Sequence, residues 1–162
     1  MRQVVTLLIV CVGLVLSGCG QSQTSSSAGR GHSYDERMYA TEAMAYIKLA
    51  METGTRTFTL MGEVSKGAAS EGELRSALIA GESAQAEAWS RVPADPPAMY
   101  ATAHSMLKDA RTTNETATKE FLLYFSDHEP VHIAVGQEGF KRSIGMLKAG
   151  MEAIGQAAGV SP

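Results

Sequence analysis

The stretch PVHIAVGQEGFKRSIGMLKAGMEAIGQAA, residues 130–158, decides the fold. Ile133, Gln137, Phe140, Ile144, Leu147, Met151, Ile154 and Ala158 recur in it at alternating steps of four and three, the repeat that keeps one side of an α-helix turned to a partner. Gly136, Gly139, Gly145, Gly150 and Gly155 share the same stretch, and each costs about 1 kcal/mol relative to Ala in an isolated helix. So much glycine predicts close packing against other helices in place of independent stability.

Three more helical patterns lie upstream. Ala103, Leu107, Ala110, Asn114, Ala117, Phe121 and Tyr124 form a stripe flanked by Met99, Met106, Leu122 and Phe125. Its helix is expected to start from a cap at Asp95 with Pro96 and Pro97 in the first turn, and to run to about Ser126. Asn114 needs a partner if it is buried. Ser70-Glu71-Gly72-Glu73 reads as a capping box that opens another helix, with Leu74, Ala77, Leu78, Gly81, Ala84, Ala88 and Val92 along one side and a stop at Pro93. The first pattern runs from Tyr34 to about Ala69, with Tyr39, Ala43, Tyr46, Ala50, Thr53, Thr57, Met61 and Val64 on one face, widened by Ala40, Met44, Ile47, Met51 and Phe58. Gly54 in its middle marks a close helix contact or a slight bend. No strand-like alternation occurs. Four helices with short connections predict an all-α, antiparallel four-helix bundle over residues 34–162.

The front of the chain differs. An apolar run from Val4 to Leu16 follows Met1-Arg2-Gln3 and ends in Leu16-Ser17-Gly18-Cys19, the order of a secretory signal peptide and too short for the roughly 20 apolar residues that span a bilayer. The tetrapeptide resembles the lipobox of bacterial lipoproteins. That resemblance implies cleavage between Gly18 and Cys19, a diacylglycerol on the Cys19 thiol, and an extracytoplasmic protein anchored in the membrane by lipid. It divides the chain into a signal peptide (1–18), a lipidated cysteine with a flexible linker (19–33) and the bundle. The linker, rich in Gly, Ser, Gln and Thr, gives roughly 20 Å of standoff. Gly20 and Gln21, with no aspartate at the second mature position, favour the outer membrane in a two-membrane organism; with one membrane, the anchor is the cell membrane itself. Trp89-Ser90-Arg91-Val92-Pro93, His104 and the two long closing helices are also similar to small helical lipoproteins of Gram-positive envelopes, a resemblance that brings no catalytic residue with it.

Composition agrees with such a module. Loss of Arg2 reduces the fourteen basic residues to thirteen against seventeen acidic ones, a formal charge of minus four, which leaves no basic face for nucleic acid. Cys11 leaves with the signal and Cys19 is acylated, so packing alone holds the domain together. No cofactor other than the covalent lipid is expected. The partner is the membrane together with an envelope protein or ligand that the sequence does not name.

One string invites catalysis. His128-Glu129-Pro130-Val131-His132 matches the H-E-x-x-H of zinc peptidases, which places two imidazoles on one side of a continuous helix. Pro130 is tolerated only in a first helical turn, so His128 is expected outside the helix and His132 inside it, and the peptidase geometry is lost. Glu129 and His132 form a single Glu-x-x-His, whereas a di-iron bundle needs two. A simpler metal site made of His104, His128 and His132 is the alternative to a binding or structural module. Met44 and Met51, like Met99 and Met106, stand seven apart and read as core filling in preference to copper ligands. Trp89 reads as a lid on the bundle. No catalytic residue is identified.

Overall fold

The computed structural model describes residues 32–159. The signal-like stretch, Gly18, Cys19 and the linker as far as residue 31 lie outside the described residues. Among the described residues four helices follow one another: α1 (Tyr34–Ser65), α2 (Glu71–Arg91), α3 (Ala101–Asp127) and α4 (Pro130–Ala157), with a 3-10 turn at Ala98–Tyr100 leading into α3. No strand occurs among the described residues. The chain is an all-α bundle.

Local sequence sets the helix starts. The Ser70–Glu73 capping box forms, with the Glu73 amide donating to Ser70 Oγ at 3.2 Å and the Ser70 amide donating to Glu73 Oε2 at 2.7 Å. An unanticipated second box opens α1, where the Ser33 and Glu36 side chains and amides exchange the same two bonds at 3.2 and 2.7 Å. His32 lies beside it with Nε2 3.1 Å from the Ala158 carbonyl, so the last residues read as linker are fastened to the end of α4. The cap expected at Asp95 does not form: the chain from Val92 to Pro97 is non-helical, and no side chain caps α3. Helix α1 stops at Ser65, short of Ala69, because the turn to Ser70 needs Gly67 at φ +70°.

Residue pairs fix the helix directions. Between α1 and α2, Tyr46 meets Trp89 and Thr53 meets Gln85; between α3 and α4, Ala110 meets Ser143 and Phe121 meets Gly136. The same opposed order joins α2 to α3 through Trp89–Arg111 and Gln85–Asn114, and α1 to α4 through Gly54–Ile144 and Phe58–Phe140. Every adjacent pair is antiparallel.

The α3–α4 contact is where glycine is indispensable. A Cβ at Gly136 would lie 2.6 Å from Phe121, one at Gly139 2.8 Å from the Ala117 Cβ, and one at Gly150 2.7 Å from Leu107. The buried line of α4 is accordingly Gly136, Phe140, Ser143, Leu147, Gly150 and Ile154. It shares Phe140, Leu147 and Ile154 with the expected stripe but is turned toward the small residues, leaving Ile133, Ile144 and Met151 at the sides. Close approach of two backbones selects small side chains along the contact and moves bulky ones beside it.

The core falls into two apolar clusters. One gathers Tyr39, Tyr46, Ile47, Tyr100, Leu107 and Leu147 with small neighbours; the other gathers Leu74, Leu78, Ala117, Phe121 and Phe140. A polar layer lies between them along the bundle, in which Asn114 Nδ2 donates to Gln85 Oε1 at 3.0 Å and Gln85 Nε2 donates to Thr53 Oγ1 at 2.7 Å. Asn114 thus has the partner its burial demands, and Gln85 takes an inward position unanticipated in the α2 stripe. Met51, Met99, Met146 and Met151 pack against the first cluster, whereas Met44, expected to widen the α1 face, is exposed.

Candidate functional site

A cleft of about 430 Å³ opens between the last turn of α2 and the first half of α3, lined by Trp89, Val92, His104, Lys108, Arg111 and Glu115, with Ser90, Ala94 and Thr112 at its margins. Its size is that of a metabolite pocket. The α3 members stand at 104, 108, 111 and 115, steps of four, three and four, so they form a single face beside the core stripe. Trp89 reaches across from α2. Its ring meets Tyr46 edge-on at 5.0 Å and His104 at 5.4 Å, and the Arg111 guanidinium carbon stands 5.7 Å from its centre. It lids the bundle, as expected, and also forms a wall of the cleft.

The groups beneath hold their protons tightly or lose them readily, according to their surroundings. Tyr39 stacks on Tyr100 at 5.1 Å, and its hydroxyl lies 3.1 Å from His104 Nδ1. Burial, reinforced by Tyr100, pushes the Tyr39 phenol up to about 12, and burial holds the Tyr46 phenol higher still. Both remain neutral. Burial also lowers His104 below the ordinary imidazole value; Lys108, one turn on, adds to this, while Asp95 works against it. His104 is therefore a neutral imidazole at neutral pH. Arg111 Nε donates to Glu115 Oε1 at 2.7 Å, a single bond to one of the five donors of the guanidinium. Lys108 is exposed and has no carboxylate within 4.0 Å among the described residues.

The other histidines lie elsewhere. Sixteen residues of α3 separate His104 from Glu120, about 24 Å of helix, and Glu120 is the partner of His132. His132 Nδ1 sits 2.7 Å from Glu120 Oε2, and Nε2 sits 3.1 Å from Asp127 Oδ2, so both ring nitrogens already face carboxylates. The hydrogen bond to Glu120 raises its pKa; burial works against this, and the charges of Asp127 and Glu120 add to the rise. His128 ends α3 in the left-handed region at φ 59°, exposed, with its ring edge-on to Tyr124 at 5.7 Å. Pro130 begins α4 and His132 lies within it. The structure therefore keeps His104 apart from His132 and splits the H-E-x-x-H string across a helix break. Among the described residues no three His, Cys, Asp or Glu side chains are grouped to hold a metal.

Comparison with family models, curated proteins and solved structures yields no match to this chain, so the cleft is read from its own chemistry. Sequence reasoning named Trp89 and His104 but missed Lys108, Arg111 and Glu115. Their signal was the second helical face of α3, which looks like an ordinary solvated surface until α2 is laid beside it.

Proposed function

We propose that this protein is a lipid-anchored extracytoplasmic protein of the cell envelope, held in the cell membrane or outer membrane through Cys19, whose bundle is a non-catalytic binding module with the α2–α3 cleft as its ligand site. The observation that carries the binding reading is the convergence of Trp89, His104, Lys108 and Arg111 on one metabolite-sized cleft. The anchoring reading rests on Leu16-Ser17-Gly18-Cys19 and the apolar run before it.

Both parts have direct tests. Cys19→Ala is expected to abolish acyl labelling and release the protein from the membrane fraction; membrane retention of a cleaved Cys19→Ala form contradicts the anchor. For binding, a thermal-shift screen of small molecules is expected to yield a ligand that raises the unfolding midpoint, since a ligand at a hundred times its Kd adds about 2.7 kcal/mol. A broad screen spanning anions, cations and neutral compounds with no stabilising member contradicts the binding reading.

A further inference from the structure

The binding reading leaves the ligand unnamed, and the cleft's own chemistry narrows it. Two cations, Lys108 and Arg111, face one carboxylate, Glu115, in a chain whose formal charge is negative overall. Glu115 engages Arg111 through Nε alone, which leaves the paired terminal nitrogens of the guanidinium without a protein hydrogen bond among the described residues. Those nitrogens form the fork that matches the two oxygens of a carboxylate or phosphate. Lys108 stands three residues before Arg111 on the same face and supplies a second charge without a geometric demand of its own. Beside them Trp89, Val92 and Ala94 offer apolar surface, while the Ser90 and Thr112 hydroxyls at the rim already donate to the Glu87 and Lys108 carbonyls. His104, neutral at this depth, contributes no repulsion to a greasy body and none to an anion.

Resting on the reading of the cleft as a ligand site, we propose that it binds a small organic oxyanion, with the carboxylate or phosphate head on the Arg111 terminal nitrogens and Lys108 and the apolar body against Trp89. Glu115 then sets the strength of the grip, since it shares Arg111 with the incoming head. Trp89 is the only tryptophan in the chain, so its emission reports on a wall of the cleft.

The test uses the chain from Cys19 to Pro162, purified unacylated, and follows Trp89 emission on titration with hexanoate, hexyl phosphate, inorganic phosphate and 1-hexanol. Hexanoate and hexyl phosphate are expected to give saturable changes, with inorganic phosphate weaker and 1-hexanol weaker still. Arg111→Gln is expected to weaken hexyl phosphate about tenfold or more, the loss of a charge-assisted bond, and Lys108→Gln to weaken it less. Glu115→Gln is expected to strengthen it. That gain guards against misfolding as an explanation, because a variant damaged in structure does not bind better. Phosphatidylglycerol vesicles separate the two sources of such a head: a response to vesicles as well as to hexyl phosphate assigns the anion to a lipid, and a response to hexyl phosphate alone assigns it to a solute. An equal response to 1-hexanol and hexanoate overturns the anion assignment while leaving the cleft a binding site. No response to either anion, or undiminished binding in Arg111→Gln, overturns the proposal outright, and the broad screen then decides the binding reading separately.

Discussion

At the end of the bundle where α1 begins, Tyr39, Tyr46, Tyr100 and Trp89 close the core; at the opposite end Phe58, Phe121 and Phe140 do so. The first set carries hydroxyls and an indole; the Tyr39 hydroxyl pairs with His104 Nδ1, and Arg111 stands over the Trp89 ring. The second set is hydrocarbon alone and packs shut, with Phe121 stacked on Phe140 at 5.5 Å. His104 at the first end and His132 at the second are held in opposite ways. His104 is neutral among aromatic rings; His132 is a bridge between Glu120 and Asp127. The cleft lies at the end whose core rings carry polar atoms, and the Phe-lined end is a fastening.

The sharpest way to break this contrast is Phe121→Ala. It removes a fully buried ring from the closed end and is expected to cost about 3–5 kcal/mol in denaturant unfolding. A loss below 1 kcal/mol would mean that the Phe end is loosely packed. Gly136→Ala comes next at about 1–3 kcal/mol, because the new Cβ meets the Phe121 ring at 2.6 Å and forces α3 and α4 apart. Gly145→Ala on the same helix has nothing within 4 Å and is expected to stabilise slightly, so a similar result for both contradicts the packing account. In the layer between the ends, Asn114→Ala strips Gln85 Oε1 of its donor at a cost of about 1–3 kcal/mol. Smallest is Tyr39→Phe, expected at about 0.5–1.5 kcal/mol for one lost hydrogen bond to His104.

Acid and base act on the two ends with opposite sign. His132 has its pKa raised by folding, so its contribution is fully present below the unfolded value near about 6.5 and is lost as pH rises through the higher folded value. His104 has its pKa lowered, so the unfolded chain binds the extra proton; its contribution is full above about 6.5 and is lost as pH falls through the lower folded value. Amide hydrogen exchange should therefore show the cleft end opening first on acidification and the α3–α4 corner opening first as pH rises above neutrality.

Much of this fold was legible because helical periodicity, the Ser70 capping box and the Pro93 stop are local signals. The inner faces of α1 and α3 are nearly the stripes read from the sequence. What stayed hidden depends on partners. The turn of the α4 face toward Gly136, Ser143 and Gly150 follows from how close α3 comes, and Gln85 points inward because Asn114 and Thr53 wait for it. The cleft was hidden for the same reason: Lys108, Arg111 and Glu115 read as one solvated face until Trp89 lies across it. The split of His128 from His132, by contrast, was written in a single residue, Pro130, whose ring fits only the first turn of α4.

The two-ended account is tested most directly by NMR titration of the imidazole signals of His104 and His132 in one sample. The account predicts a midpoint for His104 below that of an ordinary histidine and a midpoint for His132 above it. Equal midpoints, or the reverse order, would contradict it.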